Sequence, residues 1–266
     1  MCIAVFIWKA HPLYPLLLLL NRDEYHNRAT KPLAWWEGDQ ILAGRDEVAG
    51  GTWLGCTRSG RVAFLTNVRE LHSPPQSISR GRLPLRFLES NENPHDFAKE
   101  LVKEADQYSG FNLIIADLPS TTMVYVTNRP KEDNISIIDV SPGIHVLSNA
   151  RLDSPWPKAE RLRDSFRDLL EVYGEREAPP EEMVETLMRN AVKDDESMLP
   201  HLYPVEKEYH LSSIFVDYET PLGRYGTRST SVLRVKACGE VSFHEQYLEN
   251  GFWKEQTVTY PIEAMT

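Results

Sequence analysis

Uninterrupted apolar runs open the chain, and runs rich in β-branched and aromatic residues are typical of buried strands. The first run is Cys2 to Trp8, and it ends before His11-Pro12. The next run, Leu16 to Leu20, predicts a hairpin partner that leads into Asn21-Arg22-Asp23-Glu24. Because neither run alternates with polar residues, both predict strands that are covered on two faces.

Further along the chain, strands are predicted before, between and after helices. A second hairpin, over 52–67, turns at Ser59-Gly60, and the Pro- and Ser-rich segment 72–81 predicts a loop. Strands are predicted over 61–67, 111–117, 122–128, 135–139, 143–149, 213–217, 229–236, 240–248 and 252–260. Helices are predicted over 94–106, 156–173 and 180–192. Strands and helices do not alternate, which favours one α+β domain over 1–266, with helices outside two largely antiparallel sheets.

Composition and charge narrow the class of protein. The 266 residues are 41% hydrophobic and 26% charged, as in folded soluble proteins. A net charge of -10 argues against nucleic acid as a partner and against a polybasic membrane contact. The apolar run near the N-terminus lacks the features of a secretory signal and is too short for a transmembrane segment. These features predict a cytoplasmic protein.

Cys2 is the first candidate for chemistry. Removal of Met1 would leave Cys2 with a free α-amine, whose pKa of about 8 suits a general base. The thiol is a strong nucleophile, so one residue would supply both nucleophile and base. The chain has 3 cysteines, an odd number, so at least one thiol has no partner within the chain. The alternative is that Cys2 is a small apolar residue that opens a strand.

The polar segment Asn21-Arg22-Asp23-Glu24 is the second candidate. In a hairpin, the end of the second strand lies beside the start of the first, so this segment is expected beside Cys2. Arg22 would lower the pKa of the thiol, and Asp23 would orient the α-ammonium or accept a hydrogen bond from the thiol. The alternative is a solvated exit from the hairpin.

Asn67 and Asn149 each follow an apolar strand that ends in a hydroxyl residue. Side-chain amides at such positions can donate into an oxyanion hole, although asparagine is also common in turns. Trp35, Trp36 and Trp53 are candidates for lining a ligand site, with core packing as the alternative. The spacing of histidines and cysteines gives little support for a metal site, and no nucleotide-binding loop is present.

Several segments together resemble the NRDE family, which is also called the transport and Golgi organisation family. They are Met1-Cys2-Ile3, Asn21-Arg22-Asp23-Glu24, Ala43-Gly44-Arg45-Asp46, Gly50-Gly51-Thr52-Trp53-Leu54-Gly55, Leu65-Thr66-Asn67, Leu147-Ser148-Asn149 and Tyr225-Gly226-Thr227-Arg228-Ser229-Thr230. The resemblance implies the fold of the N-terminal-nucleophile hydrolases, a four-layer αββα sandwich with two largely antiparallel sheets between helices.

More distantly, the pattern is similar to the choloylglycine and penicillin V acylases. That similarity implies Cys2 as the nucleophile and Arg22 and Asp23 as its orienting pair. It also implies Asn67 and Asn149 as oxyanion or amine contacts and Arg228 as the late arginine. The adjacency of Arg22 and Asp23 departs from the spacing in the acylases.

Two functions are consistent with these residues. The first is hydrolysis of a non-peptide amide bond, with no cofactor. The second is a non-catalytic carrier or trafficking factor in secretory-pathway organisation. The family resemblance connects this function with haem, with lipid or acyl-CoA handling, and with association with the Golgi or mitochondria as the alternative to a cytoplasmic location. The expected partner is a small hydrophobic or amide-containing ligand. A scaffold that keeps the fold and has lost the chemistry is a further alternative.

Overall fold

The computed structural model describes residues 2–71, 78–130 and 135–263. Met1 and most of the predicted loop over 72–81 lie outside the described residues. The chain divides into two compact units. Unit 1 comprises Met1–Asn27, Pro142–Ser148 and Leu152–Thr259, and unit 2 comprises Arg28–Ser141, Asn149–Arg151 and Tyr260–Thr266. The expectation of a single domain stays a prediction.

Strands and helices are numbered along the described part of the chain. The strands are β1 (Ile3–Trp8), β2 (Leu16–Tyr25), β3 (Thr30–Trp35), β4 (Ile41–Asp46), β5 (Leu54–Thr57), β6 (Arg61–Asn67), β7 (Phe111–Asp117), β8 (Thr122–Thr127), β9 (Ser136–Asp139), β10 (Gly143–Leu147), β11 (Asp217–Thr220), β12 (Gly223–Val235), β13 (Glu240–Glu249) and β14 (Phe252–Pro261). The helices are α1 (Arg82–Glu89), α2 (Pro94–Val102), α3 (Pro157–Tyr173), α4 (Pro180–Met183) and α5 (Val205–His210).

Unit 1 is built on a 7-stranded antiparallel sheet with the order β10-β1-β2-β12-β13-β14, in which β11 pairs with β12. Ile3 of β1 lies opposite Asn21 of β2. All of β1 and the first eight residues of β2 are buried, which confirms the prediction that both are covered on two faces.

One face of this sheet packs against helices. Alternate residues of β1 and β2, including Ile3 and Leu19, share a core with Leu162 and Phe166 of α3. Pro157 provides the first helical residue of α3, and the helix ends at Gly174, whose φ of 57° suits glycine. The predicted helix over 156–173 is therefore confirmed.

Unit 2 contains a second 7-stranded antiparallel sheet, with its strands in the chain order β3 to β9. Helices α1 and α2 pack on it, and Phe87 and Phe97 from these helices join the core with Ala63 and Leu113. Asn93 caps α2 by accepting a hydrogen bond from the Asp96 N–H at 3.0 Å. Two antiparallel sheets with associated helices confirm the predicted α+β class.

Several predicted elements were wrong. The strand predicted over 213–217 is wrong for residues 213–216, because the Phe215 N–H donates to the Asn190 carbonyl and the Val216 carbonyl accepts from the Thr227 N–H, and neither bond belongs to a strand pairing. The strand begins instead at Asp217, and the tight turn between Thr220 and Gly223 sets its register with β12. The helix predicted over 180–192 ends with a π turn at Val184–Met188. The sequence analysis missed β3, β4, α1 and α5. Among the described residues, no helix has the length and hydrophobicity needed to span a membrane.

Candidate active site

Asn21 begins the polar segment of β2 and is fully buried. Its side-chain amide donates to the carbonyls of Met188 at 2.9 Å and Ile214 at 3.0 Å. The Thr230 hydroxyl donates to its carbonyl oxygen at 2.7 Å. Asn21 therefore fastens β2 to β12 and to the helical layer, which is a structural role. The interpretation of this segment as a solvated hairpin exit is wrong, because β2 continues to Tyr25 and Arg22 and Asp23 are buried as well.

Arg22 and Asp23 face opposite sides of the sheet. Side chains alternate along a strand, so Asp23 shares the helix-facing side with Asn21, and Arg22 lies on the other side. Since Ile3 pairs with Asn21, the preceding residue, Cys2, lies opposite Arg22. The hairpin thus brings Cys2, Arg22 and Asp23 together, as the sequence predicted.

The Cys2 side chain is buried, with 8% of the residue exposed. The Ser148 hydroxyl donates to the Cys2 carbonyl at 3.3 Å, which ties Cys2 to the end of β10. Burial raises the pKa of the Cys2 thiol, and the nearby Asp23 carboxylate acts in the same direction, whereas the Arg22 charge lowers it. The thiol is therefore protonated at rest, and a nucleophilic role requires a base.

The Asp23 carboxyl accepts a hydrogen bond from Thr227, whose hydroxyl is itself held in place by the backbone. The Thr227 hydroxyl donates to its Oδ1 at 2.7 Å, and the Val216 N–H donates in turn to the Thr227 hydroxyl at 3.0 Å. Burial raises the pKa of Asp23, while the Thr227 hydrogen bond and the charge of Lys158 oppose this rise. Lys158 of α3 is 2% exposed and donates to the Leu211 carbonyl at 2.9 Å.

The sequence analysis missed Lys158, Thr227 and Tyr225. Lys158 lies four residues before Leu162 on the apolar stripe of α3, and a lysine in such a stripe is the signal that identifies it. The Tyr225 hydroxyl donates to the Asp23 carbonyl at 3.4 Å. Burial, together with the charges of Asp23 and Cys2, raises the pKa of Tyr225, so its hydroxyl stays protonated.

Arg228 occupies a bulge in β12. Thr227 pairs with Asp23 and Ser229 pairs with Arg22, so Arg228 has no residue opposite it. Bulges re-aim side chains and are common near active sites. The Arg228 guanidinium donates to the Tyr25 carbonyl at 3.3 Å. This places Arg228 in unit 1, beside the strand that carries Arg22 and Asp23.

Asn67 and Asn149 belong to unit 2, and the structure brings them together. The Asn149 side-chain amide donates to the Asn67 carbonyl at 2.8 Å, and the Asn149 carbonyl accepts from the Arg69 N–H at 2.8 Å. Asn149 is buried and Asn67 is half-buried. Their catalytic roles stay predictions.

The three tryptophans also belong to unit 2. Trp53 is 6% exposed and packs over Gly44, where an added Cβ would meet its ring at 2.4 Å. Trp36 donates its indole N–H to the Ala43 carbonyl at 3.0 Å, and Trp35 packs edge-on against Tyr260. Each ring therefore has its own packing partner within the unit. Their role in ligand binding stays a prediction.

Over 2–71, 78–130 and 135–263, no group of three or more His, Cys, Asp or Glu side chains could hold a metal ion. The chemistry that the described residues of unit 1 offer is that of a buried thiol flanked by a guanidinium and a carboxyl.

Comparison with known proteins gives consistent matches. A family model described as Transport and Golgi organisation 2 matches residues 1–250. The Transport and Golgi organization 2 homolog of Mus musculus is 30% identical over 99% of this chain and 100% of its own length. The Homo sapiens homolog is also 30% identical, with the same coverage of 99% and 100%.

Among solved structures, the C2A mutant of the conjugated bile acid hydrolase from Clostridium perfringens matches with a TM-score of 0.54. The match covers 98% of this chain and 97% of the other, at 11% identity. This likeness shows the fold of the N-terminal-nucleophile hydrolases, and the predicted fold class is confirmed.

Proposed function

We propose that this chain, which belongs to the Transport and Golgi organisation 2 family, is a hydrolase of a non-peptide amide bond with Cys2 as its nucleophile. The observation that carries the proposal is the buried group at the paired ends of β1 and β2. There, Cys2 lies opposite Arg22, and Asp23 is held by Thr227. The match to a bile acid hydrolase whose solved form is a C2A mutant supports the choice of residue.

The mechanism begins with removal of Met1, which frees the α-amine of Cys2. Because burial raises the pKa of the thiol, the thiol needs a base, and the α-amine of the same residue is within reach by covalent geometry. The amine takes the thiol proton, and the sulfur attacks the amide carbon. Arg22 stabilises the negative charge on sulfur, since the two residues lie on one face of the sheet.

The second half of the reaction returns the protons. The carbon–nitrogen bond breaks as the α-ammonium protonates the leaving amine, which leaves a thioester on Cys2. Water then attacks the thioester and gives one proton to the α-amine, and the thiolate leaves and regains that proton. The products are a carboxylic acid and an amine. In this scheme, Asp23 orients the α-amine, and Lys158 balances the charge of Asp23 from the helical layer.

The experiment has two parts. First, intact mass measures whether the purified protein begins at Cys2, as the mechanism requires. Second, a panel of non-peptide amides is assayed for turnover by wild type, Cys2→Ala and Cys238→Ala. We expect turnover to be lost in Cys2→Ala and kept in Cys238→Ala, whose substituted cysteine is exposed. Turnover by protein that retains Met1, or by Cys2→Ala, would contradict the mechanism.

A carrier or trafficking function is the second candidate, and the names of the relatives favour it. As a haem carrier, the chain would provide an axial ligand such as Cys2 or a histidine. The proposed lining residues of a haem site, Trp35, Trp36 and Trp53, each pack against or bond to another residue of unit 2. These contacts favour core packing of the three rings over haem binding. A spectral titration with haem tests it, and a flat titration removes the haem version. The cytoplasmic location also stays a prediction, and the relatives' names point to the Golgi.

A further inference from the structure

Unit 1 contains a cavity of about 370 Å³ that the site around Cys2 does not use. Its walls include Tyr25 at the end of β2, His210 of α5 and Tyr218 of β11. Leu222, in the turn between β11 and β12, lies at the cavity and is 74% exposed. A space of this size suits a ring or a short branched alkyl group rather than a whole lipid.

Aromatic rings define the walls. The rings of His210 and Tyr218 stack with their centroids 4.7 Å apart and an angle of 5° between their planes. Tyr25 adds a third aromatic ring to the lining. The walls thus offer aromatic surface, which favours an apolar ligand group.

The charges at the cavity favour a cation. Glu206 and Glu219 contribute two exposed carboxylates. Lys207, the lining residue of opposite sign, places its ammonium 4.1 Å from the centroid of the Tyr203 ring. The nearby Asp217 and Arg224 pair with each other at 2.6 Å and so contribute no net charge. Aromatic faces beside carboxylates are the surroundings that quaternary and other alkylammonium groups prefer.

The cavity is connected to the candidate active site through Tyr225. Tyr25 and Tyr225 are paired across β2 and β12, and their rings meet edge to face at 5.1 Å. Tyr218 also meets Tyr225, at 5.9 Å. The Tyr225 hydroxyl in turn reaches the Asp23 carbonyl at 3.4 Å. One aromatic ring therefore stands between the cavity and the residues around Cys2.

We propose that this cavity is a subsite for the cationic apolar group of a small ligand, such as an aryl-substituted or branched alkylammonium. In its link to catalysis, the proposal rests on the proposed function, because the amide of such a ligand would then extend past Tyr225 towards Cys2. The subsite disfavours anionic groups such as free carboxylates, since Glu206 and Glu219 repel them.

Binding to the full chain tests the subsite with three matched probes. They are benzyltrimethylammonium, its neutral isostere neopentylbenzene, and the anion phenylacetate, each titrated by ligand-observed nuclear magnetic resonance. We expect the cation to bind at least about fivefold more tightly than the neutral probe, and the anion to bind most weakly. Absence of binding by the cation, or equal binding by the anion, would overturn the proposal.

Three variants locate the site. Tyr218→Leu should weaken binding of the cation at least about fivefold. Tyr209→Leu should leave it unchanged, because Tyr209 is 40% exposed and does not line the cavity. Glu219→Gln changes an exposed side chain, so the fold survives, and it should weaken the cation but not the neutral probe. Equal effects of Tyr218→Leu and Tyr209→Leu, or no selective effect of Glu219→Gln, would contradict the site.

The same titration in Cys2→Ala separates this proposal from the proposed function. The subsite predicts an unchanged Kd, because Cys2 does not line the cavity. If the probe fails to bind while wild type hydrolyses amides, the subsite is wrong and the hydrolase stands. If the probe binds in both proteins and no amide is hydrolysed, the subsite stands and the hydrolase is wrong.

Discussion

Replacement of Asn21 by leucine tests whether the first residue of the polar segment supports the fold or the chemistry. The side chain is fully buried and makes three hydrogen bonds, to Met188, Ile214 and Thr230. Leucine has a similar size but no polar atom. The substitution therefore leaves two carbonyls and one hydroxyl without their partner in a site that excludes water.

The expected loss follows from these contacts. Each stranded buried group costs about 1–3 kcal/mol, so at about 2 kcal/mol each the three cost roughly 6 kcal/mol. Burial of a leucine side chain returns about 2 kcal/mol. The free energy of unfolding should therefore fall by roughly 4 kcal/mol, a large part of the total of about 5–15 kcal/mol that is typical of a folded protein.

Urea unfolding, followed by tryptophan fluorescence, measures this change through the midpoint and the slope. Thr230→Val should cost about 1 kcal/mol, and the double variant should cost less than the sum, because both remove one shared bond. Asn91→Leu, in an exposed loop, is the control and should stay within about 0.5 kcal/mol of wild type. If Asn21→Leu unfolds at the wild-type midpoint but loses amide turnover, the structural assignment is refuted.

Three further predictions concern the same unit. Gly226→Ala should lower the free energy of unfolding by roughly 2 kcal/mol or more, because a Cβ would lie 2.1 Å from a backbone carbonyl; thermal unfolding measures it. Burial raises the pKa of Asp153, but hydrogen bonds to its carboxyl, including that with His145, prevail and lower it. Its contribution is therefore present at neutral pH and is lost in acid, so the difference between wild type and Asp153→Asn in urea should shrink from about pH 5 to about pH 3. Burial raises the pKa of the Cys2 thiol, whereas Cys238 is exposed. In protein that retains Met1, iodoacetamide at neutral pH should therefore modify Cys238 at least about tenfold faster than Cys2, and peptide mass spectrometry measures both rates.

The two strands that open the chain were predictable because their apolar runs are fully buried. Ile3–Trp8 and Leu16 to Leu20 contain no polar residue, so their pattern admits few alternatives. Strand β3 was missed because it lies at the edge of its sheet, carries Pro32 and buries only Leu33. Helix α1 was missed because it has only 8 residues and no side-chain cap, and its Pro84 resembles a break in the pattern.

Hairpin geometry could predict only that part of the candidate site that lies within one hairpin. Cys2, Arg22 and Asp23 lie in one hairpin, and hairpin geometry brings them together over a short stretch of chain. Thr227 reaches Asp23 across 204 positions of sequence, through the pairing of β2 with β12. No pattern within either segment specifies that pairing. The sequence alone therefore could not select Thr227 as the partner of Asp23.

The bulge at Arg228 explains how β12 can form hydrogen bonds to both Asn21 and Asp23 of β2. Thr227 bonds to Asp23 and Thr230 bonds to Asn21, both on the helix-facing side of the sheet. In a regular strand, residues three apart point to opposite faces, so both bonds could not form. The extra residue changes the alternation between Thr227 and Ser229 and brings Thr230 back to the helix-facing side. Arg228 thus supports the site by its position in the chain as well as by its charge. As the extra residue of the bulge, it allows β12 to form hydrogen bonds to a structural asparagine and to a buried carboxyl on the same side of the sheet.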